Sequence, residues 1–210
     1  MNIAFYFDPG CPWCWIASRF ILTVSEKREL AIEWRMFSLA YQNGELESND
    51  LIQDDQHMPS HRVERVILKA SKTGVNIIDL YSHFGKRHFI DGVAYNNELI
   101  REVLEKNKLN PGLIAAADDV GLDVELIESS QSALEAVGDD IGVPAIIFTD
   151  SYGANSAFFG PVLGRLPDPE QSVKLWDSLV GISAYDAFYE LKRGRGSSGP
   201  DVLSTDRGSF

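Results

Sequence analysis

The chain has 210 residues, with 19 Lys+Arg against 31 Asp+Glu and a formal net charge of −12. That length suits one elaborated domain with a core that needs no disulfide staples. The acidic balance, with no basic stripe, argues against a nucleic-acid partner. No apolar run reaches the length of a membrane span, so no membrane partner is expected.

Residues 2–8 hold the apolar run Ile3-Ala4-Phe5-Tyr6-Phe7 and predict a strand. Residues 12–29 predict a helix, and 31–39, which roughly alternate, predict a second strand. Together they make a β-α-β opening of an α/β fold. The first strand begins almost at Met1, without the basic, apolar and small-residue segments of a leader. The expected location is therefore the cytoplasm.

Residues 41–56 are polar and acidic, with turn signals at Asn43-Gly44 and Ser48-Asn49-Asp50. From 59 to 138 the pattern is helical, with helices expected over 61–71, 77–89, 97–106, 111–120 and 124–137. Strand signals return at 145–149, followed by a hairpin loop over 150–155 and a returning strand at 157–159. Residues 169–193 predict a last amphipathic helix. The Lys192, Arg193 and Arg195 cluster reads as basic charge at that helix's C-terminus. The Gly/Ser-rich 194–210 reads as a disordered tail.

The only cysteines are Cys11 and Cys14, in Cys11-Pro12-Trp13-Cys14 between the first strand and the first helix. A C-x-x-C pair there is a dithiol–disulfide redox motif. Free N–H groups and the helix dipole at a helix N-terminus favour a thiolate, and the thiolate is the nucleophile. Cys11 is expected to be the attacking thiol and Cys14 the resolving one, about one turn on. Pro12 presets the first helical turn. Zinc would need two distant ligands, so no metal is expected.

Trp13, between the sulfurs, is expected to meet substrate, and Trp15 to enter the core. Asp8 has two readings: proton acceptor for Cys14, or a strand-end carboxylate bonded to backbone N–H groups. His57 and His61 read as a surface pair, and Tyr81, Phe84 and Phe89 as core. No Gly-rich dinucleotide loop is present, so no directly bound nicotinamide or flavin cofactor is expected.

The order β-α-β, helical insert, β-β-α is that of a thioredoxin fold with a helical domain spliced in. The expected division is 1–40 and 139–193 for the thioredoxin-like part and 57–138 for the inserted all-helical subdomain. Pro144, just before the third strand, stands where such folds carry a cis-proline facing the C-x-x-C. A cis bond is accessible there because the residue is proline. It would turn the Val143 backbone toward the sulfurs, where an extended substrate can pair with it. Phe159, in Phe158-Phe159-Gly160-Pro161, would flank that loop and contact substrate.

With these residues in place, the chain resembles the DsbA-like branch of the thioredoxin superfamily, and within it the actinobacterial mycothiol-dependent nitroreductases. Phe7-Asp8-Pro9 through Cys11-Pro12-Trp13-Cys14-Trp15-Ile16 carries the resemblance. So do Phe158 through Leu163, Lys174-Leu175-Trp176-Asp177 and Phe188 through Arg193. Val143 departs from the Thr many thioredoxin-like proteins place before the cis-proline. The resemblance implies a cytosolic thiol–disulfide oxidoreductase with mycothiol as reductant and nitroaromatic or disulfide substrates. A small redoxin is an alternative regenerating partner, and the resemblance implies a homodimer. Two alternatives remain open: a thiol-dependent isomerase or transferase of the kappa-class type, and a non-catalytic redox sensor.

Overall fold

The computed structural model of the chain describes residues 1–47 and 56–207. The Ser48-Asn49-Asp50 turn signal lies outside the described residues. Four strands, β1 (Asn2–Phe7), β2 (Ala31–Met36), β3 (Ala145–Thr149) and β4 (Asn155–Phe159), form one sheet in the order β2-β1-β3-β4. β2 runs parallel to β1, with Phe5 opposite Trp34, and β3 runs antiparallel to it, with Phe5 opposite Ile146. β4 closes the hairpin, with Ala145 opposite Phe159.

β1 is apolar on both faces because both faces are covered. Tyr6 points to one face, where its hydroxyl lies 3.0 Å from Ser132 Oγ. Ser132 belongs to helix α6 (Asp123–Val137). Ile3, Phe5 and Phe7 point to the other face and are fully buried or nearly so. Phe20 of α1 (Pro12–Ser25) and Phe148 of β3 there pack on Trp176 of α7 (Pro169–Ser183), with ring centroids 6.2 and 5.8 Å apart.

Between β2 and β3 the chain is helical: α2 (Leu39–Gln42), α3 (Met58–Ser71), α4 (Ile77–Gly85), α5 (Asn97–Lys106), then α6. Side-chain caps set several starts. Ser38, Asn76 and Asn96 each accept a backbone N–H at the first turns of α2, α4 and α5. The helix expected over 77–89 changes at Gly85 into a π turn, Lys86–Ile90. Gly85 is required there: a Cβ would stand 2.3 Å from Trp15 Cζ3. The helix expected over 111–120 is instead two 3₁₀ turns, Pro111–Asp118 and Val120–Leu122. Asp119 separates them, with ψ 90 and a side chain capping Gly121 N.

Two expectations at the C-terminus are corrected. α7 ends at Ser183, so Lys192, Arg193 and Arg195 do not sit at its C-terminus. Residues 194–207 are not a disordered tail. They end in a 3₁₀ turn, Val202–Thr205, that packs on α1. Thr205 is only 2% exposed. The local composition suggested disorder because the turn is held from outside. The Ser204 hydroxyl accepts Leu166 N–H at 2.9 Å, and Gly164 O accepts Asp201 N–H at 2.8 Å.

Candidate redox site

The redox loop is built by the end of β1 and the start of α1. Asp8, fully buried, accepts backbone N–H bonds from Gly10 at 2.7 Å (Oδ1) and from Leu39 at 2.9 Å (Oδ2). The first ties the loop to itself, and the second ties it to α2. Cys11 is the N-cap of α1, and its Sγ accepts the Cys14 N–H at 3.3 Å. A sulfur in that position receives the orphan donor of the first turn, which is how a helix start stabilises a thiolate. Pro12 occupies the first helical position, where its missing N–H costs nothing.

Both cysteines are free thiols. Cys11 is 5% exposed and Cys14 is fully buried. Burial pushes the Cys14 thiol well above the ordinary cysteine range. The neighbouring Cys11 sulfur adds to the effect, and so does the Asp8 carboxyl charge. Asp8 is itself raised, by burial first, against the lowering effect of its Leu39 and Gly10 bonds. Both groups thus favour their protonated forms next to each other.

The Val143–Pro144 peptide is cis, and the Cys11 thiol donates to Val143 O at 3.5 Å. The Gly160–Pro161 peptide is also cis, and Gly160 N–H bonds to Pro144 O at 2.7 Å. This bond fixes the end of β4 against the cis-proline turn. Phe159, one residue before it, is 41% exposed, while Phe158 packs on Phe188 with centroids 6.2 Å apart.

Trp13 is half-buried, and the Arg195 guanidinium carbon lies 5.0 Å from its ring centroid. Trp15 is core, as expected, with Arg19 4.1 Å from its centroid and Tyr81 edge-on at 5.8 Å. Burial lowers Arg19 to about 10. Tyr81, read from sequence only as core, also reaches the sulfurs electrically. The Cys14 charge is the second cause, after burial, of its raised pKa, and its buried hydroxyl has no hydrogen-bond partner among the described residues.

His57 and His61 are not a surface pair. His57 precedes α3 and bonds through Nδ1 to Glu45 Oε1 at 2.5 Å. His61 is fully buried, 2.7 Å from Ser38 Oγ, 3.0 Å from Glu64 Oε2 and 2.9 Å from Asp123 Oδ1. Glu64 and Asp123 were missed in the sequence. The signal available was the run Ser60-His61-Arg62-Val63-Glu64-Arg65, whose polar residues recur one turn apart on an otherwise apolar helix. A cleft lined by Trp34, Met36, Leu68, Leu126 and Ser129 is bordered by none of the redox-loop residues. Among the described residues no group of three or more His, Cys, Asp or Glu side chains could hold a metal ion. Among the same residues no helix is long and apolar enough to cross a membrane.

The four-stranded sheet, the helical insert and the dithiol at the start of α1 define a thioredoxin-like fold of the DsbA type and a thiol-dependent redox protein. The comparisons agree. The chain superposes on the cytosolic disulfide reductase DsbM of Pseudomonas aeruginosa with a TM-score of 0.59. That match has 16% identity and covers 86% of this chain and 99% of the other. The probable DsbA oxidoreductase SCO1869 of Streptomyces coelicolor matches with a TM-score of 0.56 and 16% identity, covering 96% of this chain and 97% of the other. An uncharacterized protein of Mycobacterium tuberculosis, Rv2286c, is 25% identical over 97% of this chain and 86% of its own length. The family model described as mycothiol-dependent nitroreductase Rv2466c matches residues 10–193, and the chain belongs to that Rv2466c-like family.

Proposed function

We propose that the chain is a cytoplasmic thiol–disulfide oxidoreductase in which Cys11 attacks and Cys14 resolves. One observation carries the reading: Cys11 sits at the N-cap of α1, its sulfur bonded to Cys14 N–H and 3.5 Å from Val143 O beside cis-Pro144. The Cys11 thiolate attacks a disulfide sulfur of the substrate, forming a mixed disulfide and releasing one thiolate. Cys14 then attacks Cys11 Sγ. The Cys11–Cys14 bond forms, the bond to substrate breaks, and the second substrate sulfur leaves with its electron pair. Asp8 accepts the Cys14 proton. Trp13, Val143, Pro144 and Phe159 line the substrate side, and Pro12 shapes the turn.

Family membership favours mycothiol as the thiol that regenerates the dithiol, and nitroaromatic compounds as candidate substrates beside disulfides. The test uses Cys14→Ser protein challenged with mycothiol disulfide and, separately, glutathione disulfide, with the Cys11 adduct read by intact mass. A fast, mycothiol-selective adduct is expected. No adduct, or equal slow reaction with both, sinks the mycothiol assignment. Turnover retained by Cys11→Ser would instead point to a thiol-dependent isomerase or transferase.

A further inference from the structure

Helix α3 carries two adjacent polar stripes. Ser60 and Glu64, four residues apart, share the stripe that faces the redox loop. The Ser60 hydroxyl donates to His57 O at 2.9 Å, and a Cβ on Gly10 would stand 2.9 Å from Ser60 Oγ and 3.3 Å from Asp8 Oδ1, which sets Ser60 beside the Asp8 carboxyl. His61 and Arg65, also four apart, share the stripe that faces the start of α6. Arg65 grips Asp123 with both ends of its fork, Nε to Oδ1 and Nη2 to Oδ2, each at 2.6 Å. His61 joins the stripes, with Nδ1 on Glu64 Oε2 and Nε2 on Asp123 Oδ1.

The charges do not balance. Glu64 and Asp123 place two carboxyl groups beside one cation, Arg65, Asp123 takes that cation bidentately, and Asp8 adds a third carboxyl that acts on Glu64. Asp8 and Glu64 are both fully buried, and after burial the Asp8 charge is the next cause that raises Glu64. The groups facing Asp8 are Ser60, His57, Glu64, Cys14 and Tyr95. His57 is itself bonded to Glu45. Those facing Glu64 and His61 are Ser38, Asp123, Arg65 and Glu45. Two carboxylates in that setting cannot both ionise at ordinary cost. A second observation agrees: among the described residues, buried Glu64 Oε1 has no hydrogen-bond partner. An ionised carboxylate left so is expensive, while a protonated one is far less so.

We propose that Asp8 and Glu64 hold one proton between them behind Cys14, and that His61 relays the surplus proton to Asp123 at the surface. The inference rests on the oxidoreductase reading above, with Asp8 as proton acceptor. When Cys14 closes on Cys11, its proton goes to the ionised member of the acid pair, and the substrate sulfur takes the electron pair. The pair then holds two protons. Glu64 gives one to His61 Nδ1, and the Nε2 proton passes to Asp123, whose side chain is 16% exposed. Reduction of the disulfide runs the same path inward. His61 is suited to this because burial, the largest cause, lowers its pKa and keeps the ring neutral, one nitrogen accepting and the other donating. Glu64 and His61 are positioning residues that act through Asp8.

The experiment is a single turnover of reduced protein with excess mycothiol disulfide, followed by acid quench and intact mass across a pH series. Glu64→Gln and His61→Gln are expected to slow disulfide closure about tenfold or more around neutral pH and to shift its pH profile, with Glu64→Asp restoring part of the rate. An unchanged profile in Asp8→Asn removes Asp8 as acceptor and the inference with it. A changed profile in Asp8→Asn beside a wild-type profile in Glu64→Gln overturns the relay and leaves the oxidoreductase reading intact. Wild-type protein supplies the check that needs no variant. Its infrared difference spectrum between dithiol and disulfide states should contain a protonated-carboxyl stretch. The absence of such a band at neutral pH overturns the shared proton.

Discussion

The indole Nε1–H of Trp15 donates to the hydroxyl of Thr205 at 2.8 Å, across 190 positions of sequence. Both side chains are buried, so the last turn of the described chain is fastened to the helix that begins with the redox pair. Thr205→Val would leave a buried indole donor with no acceptor, at a cost of about 1–3 kcal/mol. Thr205→Ser keeps the acceptor and should recover most of that. Urea unfolding midpoints of the two variants measure the difference. Equal midpoints for wild type and Thr205→Val would mean the contact carries no stability.

Gly85 and Trp15 pack without room for a methyl group. Gly85→Ala places its Cβ 2.3 Å from Cζ3 and 2.4 Å from Cε3 of a fully buried ring. Overpacking of that kind costs about 1–3 kcal/mol. For a chain of this size each kcal/mol lowers the melting temperature by roughly 2–4 °C. A thermal melt of Gly85→Ala that overlays the wild type would refute the tight contact.

Arg195 lies over the Trp13 ring with its own side chain exposed, so its contribution to stability is small, about 0.5–1 kcal/mol at most. Its effect should be on access. Arg195→Ala should raise quenching of Trp13 fluorescence by the neutral quencher acrylamide, with Trp13→Phe subtracting the other three tryptophans. Unchanged quenching would show that the guanidinium does not cover the ring.

Cysteine reactivity should be strongly unequal. Cys14 is buried and its thiol is held well above the ordinary range, while Cys11 keeps a small opening to solvent. Brief treatment of the reduced protein with iodoacetamide at neutral pH should add one adduct, on Cys11. Peptide mapping that finds Cys14 labelled first would contradict the assigned order.

His61 sets a pH dependence of stability. Its pKa in the folded chain lies below the usual histidine value of 6.5, because burial, the largest cause, opposes the charged ring. The folded state therefore binds fewer protons than the unfolded chain just below that value. Stability is full above about pH 6.5 and falls as pH drops through the folded pKa. Asp123, also lowered through Arg65 and His61, adds a second loss only below the ordinary carboxylate range near 3.8. His61→Gln should flatten the fall in urea midpoint between about pH 6.5 and pH 5. An equal slope in the variant would exclude His61 as its source.

The motif, the strand before it and the helix after it were legible because they are local. A continuous apolar run, a proline at the first helical turn and two cysteines three apart define Cys11 as N-cap whatever the rest of the chain does. The strand at 145–149 and the proline before it were equally local. The resemblance carried by these blocks extended to the family. Other features depended on which elements meet, and no short window encodes that. Glu64 acquires its meaning from Asp8, on β1's exit, and from Asp123, on another helix. Thr205 and its turn are held by distant partners, Trp15 on Thr205, Leu166 on Ser204 and Gly164 on Asp201, so a Gly/Ser-rich segment that composition assigns to disorder is fixed in place. His61 looked like a surface histidine until the packing of α3 on α2 and α6 removed it from water. Local pattern decides which backbone forms. Burial, and with it protonation and charge pairing, follows from the summed packing of distant elements, and only the tertiary structure settles it.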